Sequence, residues 1–186
     1  MRPTFVNTTS RTKTSWQRDL SPFHLGPCPL YEGAGVASAR CMENAWQFAK
    51  VYPGYERDGG PTGDYWTWAR DGWRHGRAIR YPMGKGAVPE FSWWDGEALG
   101  YVEARKKIYV PLYTRAVIST AGFAELLKVY REHGELTLWD FDGYDHHRLG
   151  MSLKDVLNDP TRKMGHAFVL AMMLEQMVDR LSSVPG

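Results

Sequence analysis

Residues 135–181 read ELTLWDFDGYDHHRLGMSLKDVLNDPTRKMGHAFVLAMMLEQMVDRL, and this stretch decides the fold class. ELTLWDF alternates as a strand does, and DGYDHH supplies the turn residues that end it. Ser152 and Asp155 have the spacing of a capping box, opening a short helix that stops before Pro160. From about Arg162 to Leu181, Ala167, Leu170, Ala171, Leu174 and Val178 recur on one stripe, which predicts a core helix. A strand followed by two helices predicts an α+β domain, mainly helical with a small number of strands.

Working back toward the amino terminus, a helix is predicted over Phe123–Tyr130, stopped by Gly134. Before it, Asp95 can cap a long helix carrying YVEARKKIYVPLY, with Glu97 near its positive end. Pro111 should kink or break that helix, because it lacks a backbone donor. GRAIRYPMGKGAVPEFSWW, residues 76–94, holds too much Gly and Pro for regular structure and reads as a long functional or capping loop. Tyr65, Trp66, Ala69 and Trp73 recur at helical spacing after Pro61-Thr62. A further helix is expected from Cys41 to Val51, ended by Pro53 and Gly54. Residues 20–40 are Pro- and Gly-rich loop with room for one short strand, and residues 1–19 form an arm. The expected organisation is therefore an arm followed by a single domain over 20–186, with an aromatic-rich region at about 54–94.

The chain has 186 residues, enough to bury a substantial core. Its 8 Trp, 10 Tyr and 7 Phe either fill that core or line a place where something flat is held. A net charge of +2 is too small to imply a nucleic-acid coat, although a local basic patch remains compatible with it. The first residues are polar and lack the apolar core of a secretory signal, and no stretch approaches a membrane span. The expectation is a cytoplasmic protein in which Cys28 and Cys41 are free thiols. His146 and His147 lie near Asp142 and Asp145, but no CxxC or HExxH spacing accompanies them, so neither metal nor cofactor is expected.

MENAWQFAK, residues 42–50, resembles the S-E-H-Y-F-Q-A-Q-K helix of the NADAR (YbiA-like) family, with Glu43, Gln47 and Lys50 matching in identity and spacing. Leu20-Ser21-Pro22-Phe23 stands for the family's early F-S-N-F element. ARKKIYVPLY followed by FAELL is similar to its basic middle helix and leucine-rich successor. LTLWDFD resembles the strand leading to a catalytic Asp, and RKMGHAFVLAMMLEQM resembles the closing N-R-L-G-x-x-L-M-x-x-R-E helix. The departures are Pro22 and Arg162 where the family has Asn, and FDGYDHH in place of W-G-D-G. Together these describe a divergent member.

The resemblance implies a NADAR-type fold and an N-glycosidase acting on a ribosylated nucleobase or ribosyl-phosphate metabolite. Its partners would be a nucleotide-like small molecule or a ribosylated base in nucleic acid, such as ADP-ribosylated guanine. Lys50 would be a nucleophile forming a Schiff base with the sugar C1, a step that requires its neutral amine. Breaking a C–N glycosidic bond builds positive charge on the sugar, which a carboxylate such as Glu43 would stabilise. On a helix, Glu43, Gln47 and Lys50 share a face over about 10 Å, so all three can border one cleft.

Asp142, at the end of the predicted strand, is the candidate second carboxylate, with Asp140 and Asp145 as rivals. Trp73 and Trp94 are candidates for stacking on substrate, and Arg77, between Arg74 and Arg80, for binding phosphate. Arg162 is a further binding candidate. Alternative readings are a transferase that moves a glycosyl group or base on nucleotides or DNA, and a non-catalytic ADP-ribose or nucleotide-binding module.

Overall fold

The computed structural model describes residues 4–182, with side chains up to Gln176. Val178 of the predicted stripe and the two ends of the chain lie outside the described side chains and residues. About 43% of the chain is helix and 14% strand, an α+β architecture with helix in excess, as predicted.

The segment read as an arm contributes β1 (Thr4–Asn7) and the single-turn helix α1 (Ser15–Arg18). β2 (Cys28–Pro29) and β3 (Ser38–Ala39) make a short antiparallel pair inside the Pro/Gly-rich stretch. α2 covers Met42–Gln47 and is shorter than predicted, because Lys50–Val51 forms β4 and pairs antiparallel with Ser92 and Phe91. β5 (Glu56–Arg57) and β6 (Gly60–Pro61) pair before α3 (Gly63–Arg74), whose N-cap Thr62 accepts a hydrogen bond from the Tyr65 N–H.

β7 (Phe91–Trp94) and β8 (Glu97–Leu99) correct a second expectation. FSWW is a strand, not loop, and Asp95 caps no helix. Asp95 and Gly96 form the turn of a hairpin, both with positive φ (48° and 85°), a conformation that suits an Asp-Gly pair. The following helix begins at Tyr101 instead. α4 (Tyr101–Ala104) passes through a π-helical segment, Arg105–Tyr109, into α5 (Val110–Val117). The widened turn sits immediately before Pro111, where an α-helix would lose the bond to the Lys107 carbonyl, and the chain continues as helix.

α6 (Ala121–His133) ends at Gly134 in the left-handed conformation, as predicted. β9 (Leu136–Trp139) runs parallel to β1, with Thr4 opposite Leu136 and Asn7 opposite Trp139. α7 (Leu153–Asn158) carries the predicted capping box between Ser152 and Asp155. α8 (His166–Ser182) starts at His166, later than expected, and leaves Arg162 in the preceding loop.

Contacts group the chain into two compact units, residues 1–21 with 113–186, and residues 22–112. The first is built on Val6, Leu20, Tyr113, Phe123, Leu126 and Leu170, the second on Met42, Val51, Tyr65, Trp73 and Ile108, all buried. Cys28 and Cys41 are free and buried. Among the described residues, no helix is long and apolar enough to cross a membrane.

Candidate functional site

The candidate site in the unit 22–112 is assembled around α2. No side chain caps this helix. Its first amides instead bond backward into the chain, Met42 N–H to the Leu25 carbonyl (2.8 Å) and Glu43 N–H to the Pro22 carbonyl (3.0 Å). Two of the orphan donors of a helix start are thereby satisfied by the loop that precedes it. At the other end, the Tyr65 hydroxyl donates to the carbonyl of Phe48, just past the last helical residue (3.1 Å). The chain then turns into β4, held to β7 also by Trp93 N–H to the Ala49 carbonyl (2.7 Å).

This turn changes how Glu43, Gln47 and Lys50 meet without separating them. Lys50 Nζ donates to Gln47 Oε1 (2.8 Å), and Gln47 Nε2 donates to Glu43 Oε1 (2.9 Å). The amide accepts from the ammonium and donates to the carboxylate, so it orients both charged groups. Glu43 and Gln47 are buried, while Lys50 is half-buried. Lys50 Nζ lies 5.0 Å above the Trp46 ring, and Trp46 meets Tyr109 of the π-helical segment edge-on at 5.1 Å.

Two residues that the sequence reading missed shape this region. Asn44, wholly buried, spends its side chain on the loop after α3: its amide donates to the carbonyls of His75 (3.1 Å) and Arg77 (3.0 Å), and its oxygen accepts from Ile79 N–H (2.9 Å). A polar residue inside a short helix was the available signal. Arg105 is buried on the π-helical segment, with its guanidinium 4.1 Å from the centre of the Tyr101 ring. Pi-helical turns are frequent at functional positions, and nothing local in the sequence marks one.

The remaining candidates divide. Trp73 is fully buried and offers no face for stacking, because α3 turns it into the core. Trp94 is half-buried on β7, its ring packed edge-on against Tyr31 at 4.8 Å. Trp68 is surrounded by Phe48, Tyr52, Tyr55 and Tyr65, so many rings of the aromatic region pack on one another. Arg77 is exposed on a loop that Asn44 anchors through the backbone. Arg162 is exposed and ion-paired with Asp159 at 2.8 Å.

The three candidate acids belong to the other unit. Asp140 is buried and bonded to His166, Oδ2 to Nδ1 at 3.0 Å, while His166 Nε2 lies 2.8 Å from the Thr8 carbonyl. Burial pushes the Asp140 carboxyl up, but His166 and the amides of Ala167 and Phe141 outweigh it and hold the group below its ordinary value. Asp145 accepts from the Arg148 N–H (3.1 Å), as a turn residue does. Asp142 is half-buried in the same turn. Within this unit, β9, the turn after it and α8 enclose a cavity of about 670 Å³. A smaller one of about 270 Å³ in the unit of residues 22–112 lies between Phe48, Trp68, Ile79 and Pro82. Glu43, Gln47 and Lys50 line neither.

The chain matches no known family profile and no curated protein.

Proposed function

We propose that the protein is an N-glycosidase acting on a ribosylated base, with Lys50 as nucleophile, Glu43 as the charge-stabilising carboxylate and Gln47 positioning both. One observation supports this reading above the rest: the continuous hydrogen-bonded chain from Lys50 through Gln47 to a buried Glu43. An exposed surface pair would not bury its acid or interpose an ordered amide. The resemblance of residues 42–50 to the NADAR helix supplies the substrate class.

In this reading the neutral Lys50 amine attacks C1 of the ribose. The C–N bond to the base breaks, and the base leaves with the bonding pair and takes up a proton. The ring then opens, the Nζ proton passes to the ring oxygen, and an imine joins Nζ to C1. Water hydrolyses the imine, releasing the ribose with whatever phosphate or ADP group it carries and regenerating the amine. Glu43 offsets positive charge on the sugar as the C–N bond breaks.

Trapping tests it. Incubation with an ADP-ribosylated guanine oligonucleotide or an aminopyrimidine ribosyl phosphate, followed by borohydride, should attach the sugar to Lys50, as mass spectrometry of the peptide would show. Lys50→Arg should abolish the adduct, since guanidinium remains protonated. Full turnover by folded Lys50→Ala would reject covalent catalysis by this residue.

A further inference from the structure

The 670 Å³ cavity lies within the unit of residues 1–21 and 113–186, and its walls differ in kind. One wall is made by every residue from Gly134 to Asp140. Neighbouring residues of a strand point to opposite faces, so a wall of consecutive residues is the edge of the strand. The other edge of β9 holds β1, and among the described residues β9 pairs with nothing else. Trp139 directs its carbonyl to the β1 side, accepting from the Thr8 N–H (3.0 Å) and hydroxyl (2.9 Å). Peptide groups alternate along a strand, so Thr137 also faces β1, and Leu136 and Leu138 present their N–H and C=O groups to the cavity.

Facing this edge, α8 supplies an apolar floor of Phe168, Ala171 and Leu174. The rim carries the carboxylates of Glu135, Asp145 and Glu175, and among the described residues neither lysine nor arginine lines the cavity. Burial and the adjacent His147 hold the His146 imidazole below its ordinary value, so it adds little positive charge near neutrality.

We propose that this groove binds an extended peptide in which Lys or Arg alternates with apolar residues, added as a strand to the free edge of β9. Its main chain pairs with Leu136 and Leu138, its apolar side chains seat on α8, and its cations meet the acidic rim. Strand addition of this kind draws affinity from main-chain bonds and specificity from alternate side chains. Occupancy also covers an edge that otherwise invites indiscriminate pairing. A phosphate-bearing ligand suits the groove poorly, since the rim is acidic.

Random peptides displayed on phage and panned against the full chain should converge on alternating basic and apolar sequences. A synthetic consensus peptide should shift the amide resonances of residues 136–140 and protect the Leu138 N–H from exchange. Reversing both exposed carboxylates, Glu135→Lys with Glu175→Lys, should weaken it about tenfold. Leu138→Pro, which removes the donor at an edge position where proline is tolerated, should abolish binding. The charge-reversal pair decides the matter if Leu138→Pro fails to fold. No convergence, an acidic or uncharged consensus, or binding indifferent to charge reversal overturns the proposal. A concentration-dependent dimer that the same reversal disrupts would overturn it too, since a second copy would then close the edge.

Discussion

Two buried carboxylates in this chain, Glu43 and Asp140, are each tied to a basic side chain, but by different means. Asp140 meets His166 directly at 3.0 Å, and the other ring nitrogen of His166 meets the Thr8 carbonyl at 2.8 Å. With carboxylate on one side and carbonyl on the other, both ring nitrogens act as donors, as in an imidazolium. Both partners are buried, and the pair joins the turn after β9 to the start of α8 and to the segment after β1. Glu43 instead reaches Lys50 through the Gln47 amide, and Lys50 is only half-buried. The first arrangement closes its charges on the fold. The second links a buried acid to an amine that solvent can reach, the arrangement on which the proposed chemistry rests.

The comparison is broken most forcefully at His166. His166→Leu leaves the Asp140 carboxylate buried without its cation, and should cost about 3–5 kcal/mol of stability by urea denaturation near neutral pH. The loss should depend on pH with a definite sign. The carboxyl of Asp140 lies below its ordinary value in the folded state, so the pair contributes fully above the usual carboxylate range and fades as pH falls through the lowered value. The gap between wild type and His166→Leu should therefore narrow on acidification. A gap constant from neutral pH into strong acid would show that Asp140 and His166 are not paired.

Gly165→Ala probes the same pair from its other side. A Cβ on Gly165 would sit 2.0 Å from Asp140 Oδ2, so the carboxylate must move and its geometry to His166 is lost. A cost of about 1–3 kcal/mol is expected, as for other overpacked sites. Combined with His166→Leu, the two costs should fall short of their sum, because both act on one interaction. Additive losses would assign Gly165 a separate role.

Gln47→Leu should have a comparable or smaller effect, about 1–3 kcal/mol, because buried Glu43 loses a donor and Lys50 loses an acceptor. Its second readout concerns chemistry. Borohydride trapping at Lys50 should fall well below wild type while Lys50 itself is intact. Undiminished trapping would show that the amide bridge contributes only to the fold.

The two regions were unequally legible in the sequence. Where the deciding contacts are local, the reading holds: Ser152 and Asp155 form their capping box, Thr62 opens α3, and Gly134 ends α6. Where distant segments decide, it fails. Helix propensity carries MENAWQFAK on through Lys50, but pairing of Lys50 and Val51 with Ser92 and Phe91 overrides it. Asp95-Gly96 is compatible with either a cap or a hairpin turn, and the same long-range pairing selects the turn. The bonds among Glu43, Gln47 and Lys50 survive this error because Lys50 has a side chain long enough to reach Gln47 from a strand. His166 went unread because its partners, Asp140 and Thr8, are remote in sequence and neither belongs to a local pattern.

The smallest stability effect is expected at Lys50, and it is the most informative for the comparison. Lys50→Met keeps the length and apolar stem of the side chain and removes only its ammonium. Lys50 is half-buried, bonded to Gln47 with the Trp46 ring beneath it. The loss in stability should be less than about 1 kcal/mol, the range of partly exposed ionic interactions. On the proposed glycosidase reading, activity and the borohydride adduct should nevertheless disappear, since no amine would remain to attack C1. If Lys50→Met destabilises the protein as much as His166→Leu does, the two carboxylate systems are alike, and the Glu43 chain is a fold element. If stability is retained and activity is lost, the amide bridge separates a catalytic charge from a structural one. Retained stability with retained activity would remove Lys50 from the chemistry and leave Glu43 to assist attack by water alone.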